Sequence, residues 1–337
     1  MKGLVKIIRI IRVNKIVPGE PEIVLILSAA CLRHILNQHH ETSMKRRSFL
    51  KTSSIALAGT AGIPSAGKVI TGPADYSPAL SLNAYSFNDA LLNEGMSLNS
   101  LFQFAARTGF SAVDLTAYYI PGYPEVPNDD LLYEIKRKAF RTGISFSGTG
   151  VRNNFTVTGE EALAAEIDLV KQWIVAASKL GAPNMRVFAG NAASSGESVG
   201  DIQQQVIDAF RECARFGSRY GVTVSLQNHN DFLVSADEVI DIIDRVNFEW
   251  FGLMLDIGSL PGPDPYSEID KLIPYAFTWQ IKEEVHTGSG TSPVDLQQLM
   301  KLIRKHHYQG FLPLETLGEG DPREKVIALY NKVSEHL

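Results

Sequence analysis

The chain has 337 residues, 45% of them hydrophobic, and a formal net charge of −5. These values suit one large globular domain, and the lack of a basic excess argues against a nucleic-acid partner. Cys31 and Cys213 are the only cysteines, which excludes a disulfide framework and a cysteine-rich zinc site.

Residues 1–43 contain an apolar run, Ile23 to Leu32, shorter than the roughly 20 residues needed to cross a bilayer. Met44 then opens MKRRSFLKTSSIALAGTAG, in which Arg46 and Arg47 precede Ser48, Phe49, Leu50 and Lys51. A weakly apolar, Ala/Gly-rich stretch follows from Ile55 to Ile63. Paired arginines ahead of such a stretch look like a bacterial twin-arginine signal. The sequence therefore predicts a signal and linker over 44–70, translation from Met44, and an upstream start-site extension over 1–43. The implied partner is the twin-arginine (Tat) export machinery, which delivers an already folded protein to the periplasm. No clean A-x-A cleavage site precedes Ala66, so release and membrane tethering both stay open.

The predicted globular domain covers 76–337 and repeats one motif: helix, glycine, apolar strand, polar loop. Five joints share this form, at Gly109, Gly143, Gly181, Gly221 and Gly310. Glycine ends helices because it enters the left-handed region without a Cβ penalty. Two helices are read from apolar stripes, one through Leu163, Ile167, Val170, Ile174 and Ala177, the other through Ile202, Val206, Ala209, Cys213 and Phe216. Capping boxes are expected where Thr158 precedes Glu161 and where Ser235 precedes Glu238. The strands are Leu80–Phe87, Ala112–Thr116, Ile144–Gly148, Asn184–Phe188, Val222–Asn228, Gly252–Asp256, Phe277–Lys282 and Phe311–Glu315. Most are near-continuous apolar runs, as strands buried on both faces should be. Eight strand–helix units at this length predict a single-domain α/β fold, the (β/α)8 TIM barrel. An open doubly wound sheet is disfavoured, because no glycine-rich phosphate loop follows the first strand.

A parallel barrel gathers the C-terminal strand ends at one mouth, where its chemistry takes place. Asp256 and Glu315 each end an apolar strand, and burying such a charge is costly unless it meets a cation or donor. Two carboxylates with nearby amide oxygens suit a divalent ion, Mg, Mn or Ca; an imidazole widens the choice to Zn or Co. In Gln227–Asp231, side-chain alternation puts Gln227 and His229 on one face and Asn228 on the other. His229 reads as a metal ligand or proton shuttle, or else as a satisfied structural imidazole. Gln280 and Lys282 also share a face. Lys282 is a candidate to hold a substrate oxygen, stabilise an enolate or act as a base. Arg186, within an apolar run, reads as an orienter of substrate or as a wall salt bridge. Asn83, Tyr85, Asp114, Asn153, Asn154 and Asn191 end or follow earlier strands. Their amides and hydroxyls suit a polyhydroxylated ligand.

With these residues placed, the chain resembles the sugar phosphate isomerase/epimerase superfamily of xylose isomerase-like barrels, over roughly Ala79 to Leu337. LQNH, LDIG, QIKE and PLET match that family's strand-end motifs. The endings WQIKE and LPLETLGEGDPR resemble an exported bacterial branch. The resemblance implies a divalent metal held by Gln227, Asp256, Gln280 and Glu315, with the family's first glutamate and its histidine both replaced by glutamine. The residues themselves offer Glu315, Lys282 or His229 as the catalytic group that moves a proton, and Asn83, Tyr85, Asn153, Arg186 and Asn228 as substrate contacts. Gln227 cannot take up a proton, which removes one of the family's two acid/base glutamates. The expected activity is a metal-dependent isomerase or epimerase that abstracts a proton next to the carbonyl of a small sugar or keto-sugar. A keto-glycoside lyase or hydrolase, and a catalytically silent carbohydrate-binding barrel, are the alternatives.

Overall fold

Burial on both faces turns the apolar runs into parallel strands. In chain order these are β1 (Ala79–Asn83), β2 (Ala112–Asp114), β3 (Ser145–Gly150), β4 (Asn184–Val187), β5 (Thr223–Gln227), β6 (Phe251–Asp256) and β7 (Ala276–Gln280). An antiparallel hairpin, β8 (Glu284–Thr287) and β9 (Gly290–Pro293), precedes the last barrel strand, β10 (Phe311–Leu314). The computed structural model describes residues 78–191, 199–229, 233 and 235–337. The predicted extension, the twin-arginine segment, Asn230 and Asp231 lie outside the described residues.

The sheet order is β10-β1-β2-β3-β4-β5-β6-β7. Ile281 completes the circle: its N–H donates to the Pro313 carbonyl at 2.8 Å, and its carbonyl accepts from Glu315 N at 2.8 Å. The eight-stranded barrel read from the sequence is therefore the observed fold. Between the strands run α1 (Asn88–Leu92), α2 (Leu98–Thr108), α3 (Asp129–Arg141), α4 (Glu160–Leu180), α5 (Val199–Arg219), α6 (Ala236–Val246), α7 (Pro265–Leu272) and α8 (Leu296–Lys305); α9 (Pro322–Ser334) closes the chain. Among the described residues no helix is long and apolar enough to cross a membrane.

The boundaries differ locally from the sequence reading. β1 ends at Asn83 rather than Phe87, because the Asn83 side chain accepts from Tyr85 N and caps a 3-10 turn over Ala84–Phe87. The Ser235–Glu238 capping box forms, but the one expected at Thr158 does not. There Gly159, at φ 93°, takes the position before α4 and makes no side-chain cap. Gly109, Gly143, Gly181 and Gly221 adopt positive φ as expected. At the fifth joint His307, φ 53°, takes that role and Gly310 does not.

Alternation along the strands sorts the barrel into two zones. Leu82, Val113, Val224, Leu226, Leu253, Leu255 and Leu314 are buried in the hydrophobic core with the helix stripes. The interior is polar instead of filled with the usual branched apolar layers. Ser81 Oγ lies 2.7 Å from Ser147 Oγ, across from β1 to β3, and Ser225 Oγ donates to Asn184 Oδ1 at 2.5 Å.

Candidate active site

Above that polar floor the strand ends enclose a cavity of about 490 Å³. Its lining includes Asn83, Tyr85, Asn153, Arg186, Gln227, His229, Gln280, Lys282 and Glu315, nine residues singled out from the sequence. Asp256 lies just beneath, fully buried. Asn228 is the exception. Its amide donates to the Asp256 carbonyl at 2.8 Å and accepts from Asp256 N at 2.9 Å. It ties β5 to β6 within the wall and does not line the cavity, as its place opposite Gln227 dictates.

The centre of the site is an ammonium. Lys282 Nζ lies 2.9 Å from Asp256 Oδ2 and 3.9 Å from Glu315 Oε1. Its stem passes over Gly258, where a Cβ would lie 2.5 Å from Lys282 Cδ. Asp256 is saturated with donors: Gln227 Nε2 at 2.9 Å and Ser259 Oγ at 3.0 Å reach Oδ2, and Gly258 N reaches Oδ1 at 3.0 Å. The same Gln227 amide donates to Gln280 Oε1 at 2.5 Å. Glu315, in contrast, is buried with its Oε2 lacking a hydrogen-bond partner.

Electrostatics follow from this packing. Burial works against the Lys282 charge, but the Asp256 and Glu315 carboxylates outweigh it and raise its pKa. Burial lifts Glu315 to about 8, with Lys282 opposing and Asp256 adding to the rise. Burial lowers the His229 pKa against the pull of Asp256, so its imidazole is mostly neutral at pH 7. His229 packs edge-on to Phe188, with ring centroids 5.1 Å apart.

The divalent ion implied by the resemblance would lie among Gln227, Asp256, Gln280 and Glu315. The donors present do not fit it. Lys282 Nζ stands between the two carboxylates, and the Gln227 amide turns N–H groups, not oxygen, toward Asp256 and Gln280. Among the described residues no three His, Cys, Asp or Glu side chains converge on one point.

Arg186 stacks on Phe188, 4.1 Å from the ring centre, while its Nη1 donates to the Val151 carbonyl at 2.6 Å and its Nη2 to Tyr118 Oη at 3.0 Å. Asn153 exchanges hydrogen bonds with the Phe188 backbone, both at 2.9 Å. Both residues shape the cavity while their polar atoms are engaged by the protein. The sequence reading passed over Thr116, Tyr118, Arg152 and Glu166, which also line it. It named Asp114 only among groups suited to a polyol. Asp114 is a buried carboxyl that ends β2 at the cavity wall, the same signal that marked Asp256.

The profile of a family described as the xylose isomerase-like TIM barrel matches residues 102–331, more than half of the chain. The chain belongs to that family. No curated protein sequence matches this one. Similar solved structures include a 3-keto-D-glucoside 4-epimerase from E. coli, with 14% identity and a TM-score of 0.63, covering 77% of this chain and 100% of that one. A D-psicose 3-epimerase from Clostridium cellulolyticum H10, solved with D-tagatose, has 14% identity and a TM-score of 0.59, covering 76% and 91%. A xylose isomerase domain protein from Planctomyces limnophilus has 14% identity and a TM-score of 0.59, covering 77% and 95%. Identities this low show a shared fold alone.

Proposed function

We propose that this xylose isomerase-like barrel is an enzyme that moves a proton next to the carbonyl group of a sugar or keto-sugar, as an isomerase or epimerase. Family membership supports the enzyme class, and the epimerases among its structural neighbours support a carbohydrate substrate. The observation that carries the reading is Lys282 Nζ held between Asp256 and Glu315 at a polar cavity.

An ammonium has three N–H donors. Asp256 takes one and Glu315 lies near a second, which leaves a third for the substrate carbonyl oxygen. As the adjacent C–H bond breaks, negative charge builds on that oxygen, and a fixed cation out of water stabilises it strongly. Glu315, buried and raised to about 8, is tuned to exchange a proton near neutral pH. Gln227 donates to Asp256 and to Gln280, and both glutamines border the cavity where sugar hydroxyls would lie; Asn83, Tyr85 and His229 line the rest. Divalent ions polarise the carbonyl in the reading that the resemblance implies; here we assign that role to Lys282.

The test is incubation of the purified protein with ketoses and 3-keto-glycosides in deuterated water, followed by mass analysis of the recovered sugar. Deuterium gain by one substrate, abolished in Lys282→Met, is expected. Failure of every such sugar to gain deuterium would overturn the reading, as would release of an aglycone without exchange, which marks a hydrolase. We further propose that the chain is exported from a start at Met44 through its twin-arginine segment. Intact-mass analysis of the precursor tests this, and a precursor carrying Lys2 and Gly3 contradicts it.

A further inference from the structure

We propose that Arg152 receives a carboxylate at the far end of the substrate, which makes the substrate a keto-sugar acid rather than a neutral ketose. This deepens the proton-transfer reading above and rests on it for the carbonyl end, which Lys282 holds.

The sheet order sets the two ends apart. Lys282 follows β7 and Arg152 follows β3, four strands away around the eight-stranded ring. They therefore stand on opposite sides of the mouth, and both line the one cavity of about 490 Å³. A sugar whose carbonyl meets Lys282 Nζ extends its remaining carbons across that cavity toward Arg152.

The Arg152 end offers open donors, while its acceptors are already used. The exposed Arg152 guanidinium lies over the Tyr118 ring, 4.9 Å from its centre. Its side-chain N–H groups have no hydrogen-bond or ion-pair partner among the described residues. Tyr118, in the 3-10 turn Ala117–Tyr119, accepts at Oη from Arg186 Nη2 at 3.0 Å, so its own O–H remains to donate. Against these donors, Asn153 Oδ1 accepts from Phe188 N at 2.9 Å and Asn154 Oδ1 from Thr156 N at 3.0 Å. Glu166 Oε2 accepts from Asn154 N at 2.9 Å. The complement to this end is a group that only accepts, and an ionised carboxylate is one.

Charge selects among such groups. Arg186 is buried and donates only to neutral oxygens, those of Val151 and Tyr118. Neither arginine forms an ion pair among the described residues, so both cations draw an anion to this end. Glu166 and Asp114 border the same cavity and repel a doubly charged group more than a singly charged one. A phosphate carries nearly two negative charges at neutral pH, and a carboxylate carries one. A planar guanidinium fork also matches the two oxygens of a carboxylate.

The experiment is calorimetric binding, which needs no turnover. Its probes are D-fructose and D-tagatose, each compared with its C6 carboxylate (D-fructuronate, D-tagaturonate) and its C6 phosphate. At least one uronate should bind about 10-fold or more tightly than its neutral parent, the lower end of what a hydrogen bond to a charged group contributes. In Arg152→Met the uronates should bind no better than the neutral sugars. Arg152→Lys keeps the charge without the fork and should retain part of the preference, which a misfolded variant would not. Equal binding of acids and neutral sugars by the wild-type protein would overturn the proposal, as would a preference that survives Arg152→Met. A phosphate that binds more tightly than the matching uronate and depends on Arg152 would overturn the choice of carboxylate. A uronate preference in a protein that exchanges no deuterium into any sugar would leave this site standing and overturn the proton-transfer reading instead.

Discussion

Replacing Lys282 by Met removes the cation while keeping the stem that runs over Gly258. Asp256 is fully buried and lies 2.9 Å from Lys282 Nζ. Breaking a buried ion pair from one side costs about 3–5 kcal/mol, because the remaining charge stays unpaired. Asp256 keeps donors from Gln227, Ser259 and Gly258, so the loss belongs at the low end, about 3 kcal/mol. For a barrel of this size that lowers the thermal midpoint by about 6 °C or more. The assay is thermal unfolding at pH 7 of wild type, Lys282→Met, Asp256→Asn and the double variant. Residues in direct contact couple, so the double variant should be less destabilised than the two single losses added together, by about 1 kcal/mol or more. Strict additivity, or a Lys282→Met protein as stable as wild type, would refute the view that this pair is fixed at the site.

Asp114 gives a pH prediction. Its folded pKa, about 6, exceeds the ordinary 3.8, so the folded state holds the proton more tightly. Its contribution to stability is therefore greatest below pH 4 and is lost as pH rises through 6, on the order of 3 kcal/mol in all. Asp114→Asn should match wild type in urea unfolding near pH 4 and exceed it at pH 7; equal differences at both would contradict this. Gly148→Ala places a Cβ 3.2 Å from Asp114 Oδ2 and 3.4 Å from the Asn184 carbonyl. It should cost about 1–2 kcal/mol, the range of mild overpacking, and less in the Asp114→Ala background. Finally, Gln227→Glu, Gln280→His and Lys282→Met together supply carboxylates and an imidazole while clearing the ammonium. Calorimetry should show Mn²⁺ or Zn²⁺ binding to this triple variant and none to wild type; equal binding by both would contradict the assignment of Lys282.

Much of this was legible in the sequence because parallel strands buried on both faces need continuous apolar runs, and a barrel brings their ends together. Asp256, Glu315, Gln227 and Gln280 converge for that reason. The hairpin Glu284–Thr287 and Gly290–Pro293 went unread, since EVHTGSGTSP has neither an apolar run nor a clear alternation. Alternation put Lys282 on the Gln280 face, but a four-carbon stem carries its charge far from the strand. Only the packing over Gly258 shows that Nζ lies between the carboxylates. Asn228 was separated from Gln227 by the same alternation, yet its type drew it into the substrate set. The bonds it makes, which tie β6 to β5, run to a backbone partner that no side-chain pattern reveals.

The most direct measurement is deuterium exchange into a reactive keto-sugar by protein stripped with a strong chelator and shown to be metal-free by elemental analysis. Exchange at the untreated rate, lost in Lys282→Met, is the predicted result. Exchange that disappears on stripping and returns with an added divalent ion would contradict the account.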